Sequence, residues 1–126
     1  MTSFYVQLSS NDSKNSFPSN ESFDFTVELS EAISGNYRVA LVEIFSNEFD
    51  EQLHILCDVV EPYQVRNSFF PVLRTVCKSG ELVNLQFHRL SRAIVQRIKI
   101  SIKDKNFNVP TISLGEVTCT LRFVPY

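Results

Sequence analysis

An unbroken alternation of apolar and polar side chains between Ser22 and Ser30 constrains the fold of this chain more than any other feature. Acidic residues or threonine lie between the apolar positions, which are Phe23, Phe25, Val27 and Leu29. Successive side chains of a β-strand point to opposite faces of the sheet. The segment is therefore predicted to be a strand that buries one face and exposes the other.

Seven further segments have the pattern of strands, and they comprise residues 4–8, 37–45, 53–60, 69–76, 82–88, 97–103 and 117–123. Residues 37–45 and 53–60 are apolar on both faces, which is typical of inner strands. Pro71 lacks the N–H that a sheet requires, so we expect an edge strand or a bulge there. Helical structure is expected only as short turns near residues 48–52 and 91–95.

The chain has 126 residues, 44% of them hydrophobic and 21% charged. This length predicts one domain spanning residues 1–126, and the composition excludes disordered and membrane-spanning classes. Eight short antiparallel strands predict an all-β fold, a jelly-roll sandwich of two four-stranded sheets. An up-and-down barrel is the alternative.

Charge is divided unevenly along the chain. Residues 1–63 contain 2 basic and 11 acidic residues, whereas residues 64–126 contain 10 basic and 3 acidic ones. A basic half is one signature of nucleic-acid binding, but these basic residues are spread over four strands. In a jelly roll the two halves interleave, so their charges neutralise each other. We therefore expect no specific nucleic-acid partner. We also expect acidic residues of the first half to face basic residues of the second half across a strand pair. The acidic residues are Asp24 and Glu28, and the basic ones are Arg97, Lys99 and Lys103.

Candidate catalytic and metal-binding groups are sparse. The chain has two histidines, His54 and His88, and neither a Gly-x-Ser-x-Gly motif nor a phosphate-binding loop. His54 and Cys57 are three residues apart on a predicted strand, so they point to opposite faces and do not chelate one metal as a pair. The acidic residues at 48–51 lack the glycine and distal glutamate of an EF-hand loop. The sequence therefore predicts a protein without catalytic residues, metal or cofactor.

The three cysteines, Cys57, Cys77 and Cys119, are odd in number and have no close spacing. Each lies in an apolar, strand-like stretch, which predicts buried thiols in a reducing compartment, the cytoplasm or nucleus. The first residues have no basic and apolar pattern of a secretion signal, and we expect no membrane span.

The segment from Pro62 to Phe70 mixes loop residues with adjacent aromatic rings. Neighbouring residues of a strand face opposite sides, so either both phenylalanines are buried between the sheets or one of them faces outwards. Exposed aromatic residues beside arginine are typical of interface hot spots. This segment therefore supplies four candidate interface residues, which are Tyr63, Arg66, Phe69 and Phe70.

Three groups of segments follow one another along the chain in a characteristic order. The first comprises residues 4–11, Phe17-Pro18 and residues 35–44. The second is Asp58-Val59-Val60-Glu61-Pro62, which runs through residue 65 to Pro71-Val72-Leu73-Arg74. The third comprises residues 98–104, Val109-Pro110, residues 115–117 and Leu121-Arg122-Phe123. In this order, the segments resemble the short capsid protein of Polinton-like (Maverick) elements and adintoviruses.

The resemblance implies a single jelly roll that acts as a penton, the pentameric minor capsid subunit at the vertices of a virion, beside a major capsid protein. A ring of identical subunits joins two different surfaces. We expect one flank to carry Glu48, Asp50 and Glu51 and the other Arg89 and Arg92, so that charge reversal at the arginines weakens assembly in low salt. The alternative is a monomeric β-sandwich that binds a receptor or glycan.

Overall fold

A computed structural model describes residues 2–126, and these residues form eleven strands and no helix. The strands are β1 (Phe4–Ser9), β2 (Asp24–Ser34), β3 (Tyr37–Phe45), β4 (Leu53–Cys57), β5 (Tyr63–Val65), β6 (Ser68–Phe70), β7 (Val72–Val76), β8 (Gly80–Glu81), β9 (His88–Arg89), β10 (Ile94–Asp104) and β11 (Thr118–Pro125).

Two antiparallel sheets form a sandwich, and a two-stranded hairpin is attached to it. Sheet A has the order β1-β11-β3-β8, with β9 also paired to β3, and sheet B has the order β2-β10-β4-β7. Strands β5 and β6 form the separate hairpin. The fold is therefore all-β, as the alternation predicted, with five strands in sheet A and four in sheet B where four in each were expected.

Every strand pair within sheets A and B joins a strand from the acidic half of the chain to one from the basic half. In the β2–β10 pair, Glu28 lies opposite Arg97, and Arg97 Nε is 2.8 Å from a carboxylate oxygen of Glu28. Lys99 Nζ lies 3.6 Å from Asp24 Oδ1 on the same face. These two predicted ion pairs are confirmed, whereas Lys103 lies opposite His54 on β4 and faces neither acidic residue.

The core lies between the two sheets. Alternate residues of the long strands point into it, as the pattern predicts for half-buried strands. The largest fully buried side chains are Leu8, Phe25, Leu41, Ile44, Leu53, Ile55, Leu73, Ile98, Ile100, Ile102, Leu114 and Phe123. Both sheets contribute to this list, so the two layers stabilise each other by burying a common apolar surface.

Two of the three cysteines belong to this core. Burial raises the pKa of the Cys57 and Cys119 thiols to about 12, because the apolar surroundings disfavour the charged thiolate. Cys77 is exposed and follows β7 outside any strand, so its predicted burial was wrong. All three cysteines are free thiols.

The chain departs from the prediction most clearly between Leu82 and His88. Strand pairing to β3 is limited to two short contacts, at β8 and β9, and the intervening residues form bends and irregular structure. The alternation of apolar and polar residues between Leu82 and His88 is too weak to hold this segment in one register along β3. The turns expected near residues 48–52 and 91–95 are also not helical.

Pro71 has the position that its chemistry predicts. It lies between β6 and β7, and β7 is an edge strand of sheet B. The β4–β7 ladder shifts register beside it, between Ile55 and Leu56. A proline costs little there, because an edge strand does not need every N–H for pairing.

Candidate interaction surface

The β5–β6 hairpin contains all four aromatic-segment residues of the predicted interface. Tyr63 lies opposite Phe70, and Gln64 lies opposite Phe69. The turn passes through Arg66, whose φ of 58° lies in the left-handed region that few non-glycine residues adopt. A two-stranded hairpin is marginal on its own in water, so contacts with the sandwich must hold it in place.

The first of these contacts is a stack of three aromatic rings. The ring of Phe107 lies between His54 and Phe70, with centroid distances of 4.3 and 4.0 Å and interplanar angles of 7° and 9°. Phe107 itself has a φ of 62°. Phe107 is not among the residues predicted for this site; the signal available in the sequence was an aromatic residue among the polar residues that follow β10.

The turn that carries Phe107 is organised by Asp104 at the end of β10. Asp104 Oδ1 accepts hydrogen bonds from the backbone N–H groups of Asn106 and Asn108, at 2.8 and 2.9 Å. The Phe107 N–H donates to the Asp104 carbonyl at 2.9 Å. An aspartate that bonds the backbone a few residues ahead stabilises a tight turn, and this turn places Phe107 against His54.

His54 is the inner member of the stack. Its side chain points away from the core but is only 7% exposed, because Phe107 covers it. Its Nδ1 lies 2.8 Å from Thr75 Oγ1 on the neighbouring strand. Burial lowers the pKa of His54, and a hydrogen bond with the Lys105 backbone acts in the opposite direction. His54 is thus a packing residue, as a lone strand histidine predicts.

Two more contacts hold the hairpin at its base and tip. At the base, the Tyr63 ring stacks on His88 at a centroid distance of 5.8 Å, and His88 Nε2 donates to the Leu73 carbonyl at 2.8 Å. At the tip, Arg66 Nη2 donates to the Lys105 carbonyl at 2.9 Å. Burial lowers the pKa of His88, so the ring that supports Tyr63 is held in its neutral form near pH 7.

Phe69 lies on the opposite face of the hairpin from Phe70. Its side chain is 67% exposed, whereas Phe70 is half-buried against Phe107. Of the two alternatives, an outward phenylalanine is therefore correct, and burial of both rings between the sheets is wrong. The fold presents an exposed aromatic ring on a hairpin that is fixed at both ends.

The acidic residues Glu48, Asp50 and Glu51 follow β3 and are all exposed. Phe49 between them is buried and anchors the loop to the core. Glu51 and Lys105 line a common cleft of about 380 Å³, and the Lys105 carbonyl also accepts the bond from Arg66. The acidic loop thus lies next to the tip of the hairpin.

The predicted basic partners lie at the other end of the sandwich. Arg89 lies directly opposite Arg38 at the start of β3, and both guanidinium groups approach the ring of Tyr126, at 5.4 and 4.8 Å. At about 3.3 Å per residue, Arg38 lies roughly 23 Å along the strand from Phe45, which precedes the acidic loop. The two charged groups therefore occupy opposite ends of the molecule along the strands.

The guanidinium group of Arg92 is engaged by another residue of the same chain. Its Nη2 lies 3.7 Å from Asp58 Oδ2 and donates to the Asp58 carbonyl at 3.2 Å. Asp58 also accepts a bond from the Lys99 N–H at 2.8 Å. Arg89, which has no carboxylate within ion-pair distance among residues 2–126, is the more available of the two arginines.

Within residues 2–126, histidine, cysteine and acidic side chains do not gather in groups of three or more that could hold a metal ion. The same residues include no helix of the length and apolarity needed to cross a bilayer. Compared with known proteins, the chain matches no family model, and no curated protein matches it significantly.

Proposed function

We propose that the protein is a structural subunit without catalytic activity, a single jelly roll that self-assembles into a penton-like minor capsid ring. Its partners are further copies of the chain and the major capsid protein of the same virus or element, and its site of action is the virion. The capsid role comes from the resemblance of three groups of segments to penton proteins of Polinton-like elements and adintoviruses.

The nested order of strand pairing supports the jelly-roll part of the proposal. The outermost strands pair with each other, β1 with β11, and the next pair is β2 with β10. Further inwards β3 pairs with β8 and β9, and β4 pairs with β7. A long hairpin of eight strands that rolls into two sheets has this nesting, with β8 and β9 as the two parts of one broken strand and β5–β6 as an insertion.

The observation that carries the assembly function is the exposed ring of Phe69 on a fixed hairpin. The backbone that carries Phe69 is already held in place and loses little conformational freedom on binding, so the burial of the apolar ring adds to affinity. Arg66 and Tyr63 flank it on the same hairpin, and these residue types are enriched at hot spots. This surface suits one side of a ring contact.

The test is the particle mass in solution at about 10 µM, measured by light scattering coupled to gel filtration. We expect a closed particle of five subunits or a multiple of five, and we expect Phe69→Ser to shift it towards smaller species. Val83→Ser is the matched control, because Val83 is 74% exposed but lies outside the hairpin. A monomer with equal masses for all three proteins would refute the proposal.

A groove beside β1 favours the alternative function, a monomeric binding module. It has a volume of about 560 Å³ and lies between β1 and the end of β2, with Phe4, Val6, Leu29 and Tyr37 among its lining residues. Small-molecule sites commonly have this size, and the polar side chains of Ser30, Glu31 and Ser34 also line the groove. Binding of the monomer on a glycan array, lost in Leu29→Asp, would support this function over assembly.

A further inference from the structure

Strand β1 is an edge strand without the usual protection. Edge strands are commonly protected by charges, proline, bulges or short length, because their free N–H and C=O groups pair readily with another strand. At the other edges, β2 carries Glu28 and Glu31 and a register shift, β7 carries Arg74, and β8 and β9 have two residues each. The sequence of β1, Phe-Tyr-Val-Gln-Leu-Ser, has neither charge nor proline.

The free backbone groups of β1 can be identified from its neighbours. Alternate residues of an antiparallel strand bond to the same side. The Ser10 N–H donates to the Val117 carbonyl, so the even-numbered residues face β11. Ser9 faces the other side, where its N–H donates to Asp12 Oδ2 and its carbonyl accepts from the Asp12 N–H. The N–H and C=O groups of Tyr5 and Gln7 therefore point to the open edge, without backbone partners among residues 2–126.

We propose that this edge pairs with β1 of a second copy, antiparallel about a two-fold axis through Val6. In this register Tyr5 lies opposite Gln7 of the second copy, and the two residues exchange both backbone hydrogen bonds. The symmetry-related pair, Gln7 and Tyr5 of the second copy, forms the same two bonds. Four hydrogen bonds therefore satisfy the eight open N–H and C=O groups of the two copies. A register centred on Tyr5 leaves some of these groups unpaired. A register centred on Gln7 requires the backbone groups of Ser9, which already bond Asp12.

The side chains of β1 are compatible with self-pairing. Opposite residues of an antiparallel pair share a face, so Phe4 lies beside Leu8 of the second copy on the inner face. On the outer face Tyr5 lies beside Gln7, and the pairing opposes no like charges because β1 is uncharged. The added strand also covers Phe4 and Val6, which are only half-buried at the groove. Charge neutrality and matching hydrogen bonds thus favour a second copy as the occupant of this edge.

This contact goes beyond the proposed ring. A two-fold contact joins identical surfaces, whereas a ring contact joins different ones, and β1 is separate from the hairpin. When its two-fold axis crosses the ring axis at a right angle, the contact doubles the ring and five subunits become ten; in the absence of a ring, one subunit becomes two. Its failure is distinguishable from failure of the ring, because halving of the mass does not depend on ring size.

The experiment compares Gln7→Pro with Gln7→Thr. Proline removes the N–H that points to the open edge and leaves the β1–β11 bonds intact, which an edge strand tolerates. Threonine removes the same glutamine side chain, including its 3.5 Å contact with Thr120, but keeps the N–H. We expect the particle mass of Gln7→Pro to be half that of the wild type and of Gln7→Thr.

Amide hydrogen exchange of the unaltered protein gives a second measurement that does not depend on a variant folding. We expect the Tyr5 and Gln7 amides to exchange at least about tenfold more slowly at high protein concentration than on dilution. An unchanged mass for a folded Gln7→Pro variant would overturn the proposal. Rapid exchange of both amides at every concentration would do so too, and would leave the edge to a strand of a different protein or to solvent.

Discussion

Removal of the Phe107 ring is the most informative perturbation of the hairpin surface. Phe107→Ala deletes both ring stacks, each worth about 0.5–1.5 kcal/mol beyond burial. A fully buried phenylalanine costs about 3–5 kcal/mol when truncated to alanine, and Phe107 is half-buried. We therefore expect a loss of about 2–4 kcal/mol in the free energy of unfolding, measured by equilibrium urea denaturation.

The backbone of Phe107 allows the side-chain effect to be separated from strain. A left-handed conformation costs a non-glycine residue roughly 1–2 kcal/mol, and alanine keeps this cost. We expect Phe107→Gly to be about 1 kcal/mol more stable than Phe107→Ala, because glycine adopts a φ of 62° freely. Phe17→Ala is a control, since Phe17 is also a half-buried loop phenylalanine but contacts Arg97 instead of the hairpin.

The same variant tests whether the stack holds the hairpin. Without Phe107, Phe70 loses its stacking partner, so the backbone amides of β5 and β6 should exchange faster while those of β10 and β11 stay protected. A loss below about 1 kcal/mol, or an unchanged exchange pattern in the hairpin, would refute the reasoning that the stack fixes this surface.

Three further outcomes follow from the buried and paired groups. The folded pKa values of His54 and His88 lie below the ordinary value of 6.5, so the unfolded chain binds protons first as the pH falls. Stability should therefore be complete above about pH 6.5 and decrease below it, by at most about 1.4 kcal/mol per pH unit for each histidine, with a shallower slope in His54→Gln. In the folded protein Cys77 should react with a thiol reagent at pH 8, while the two buried cysteines react only on unfolding; equal rates for all three would contradict the described burial. A double-mutant cycle on Glu28 and Arg97 should give a coupling of about 0.2–1 kcal/mol that decreases with salt, because both side chains are substantially exposed.

Much of the sandwich could be predicted because the residue pattern that specifies each strand lies within that strand. The period-two alternation around Phe25 and Ile98 specifies which face of each strand is buried, whatever the partner strand is. The missing N–H of Pro71 alone restricted that segment to an edge strand or a bulge, and the structure has an edge strand and a register shift there. The pairing of Glu28 with Arg97 also followed once the two halves of the chain were taken to interleave.

The hairpin site could be predicted only in part. Adjacent phenylalanines on a strand must face opposite sides, but only the position of Phe107 decides that Phe70 turns inwards and Phe69 outwards. Phe107 lies 37 residues further along the chain than Phe70. Nothing near Phe70 in the sequence indicates this contact, because the contacts of a loop residue depend on the three-dimensional path of its loop.

What the sequence by itself determined is the class of fold and the face of each long strand, since both depend on side-chain periodicity and on the chemistry of single residues. Only the tertiary structure decided which strands become edges and which apolar segments remain unpaired. Residues 82–88 alternate weakly and pair with β3 only at their two ends, and β1 alternates well yet keeps one side open. The physical reason is that a strand completes its hydrogen bonds with a distant segment, so its pairing depends on the whole arrangement of the sheets.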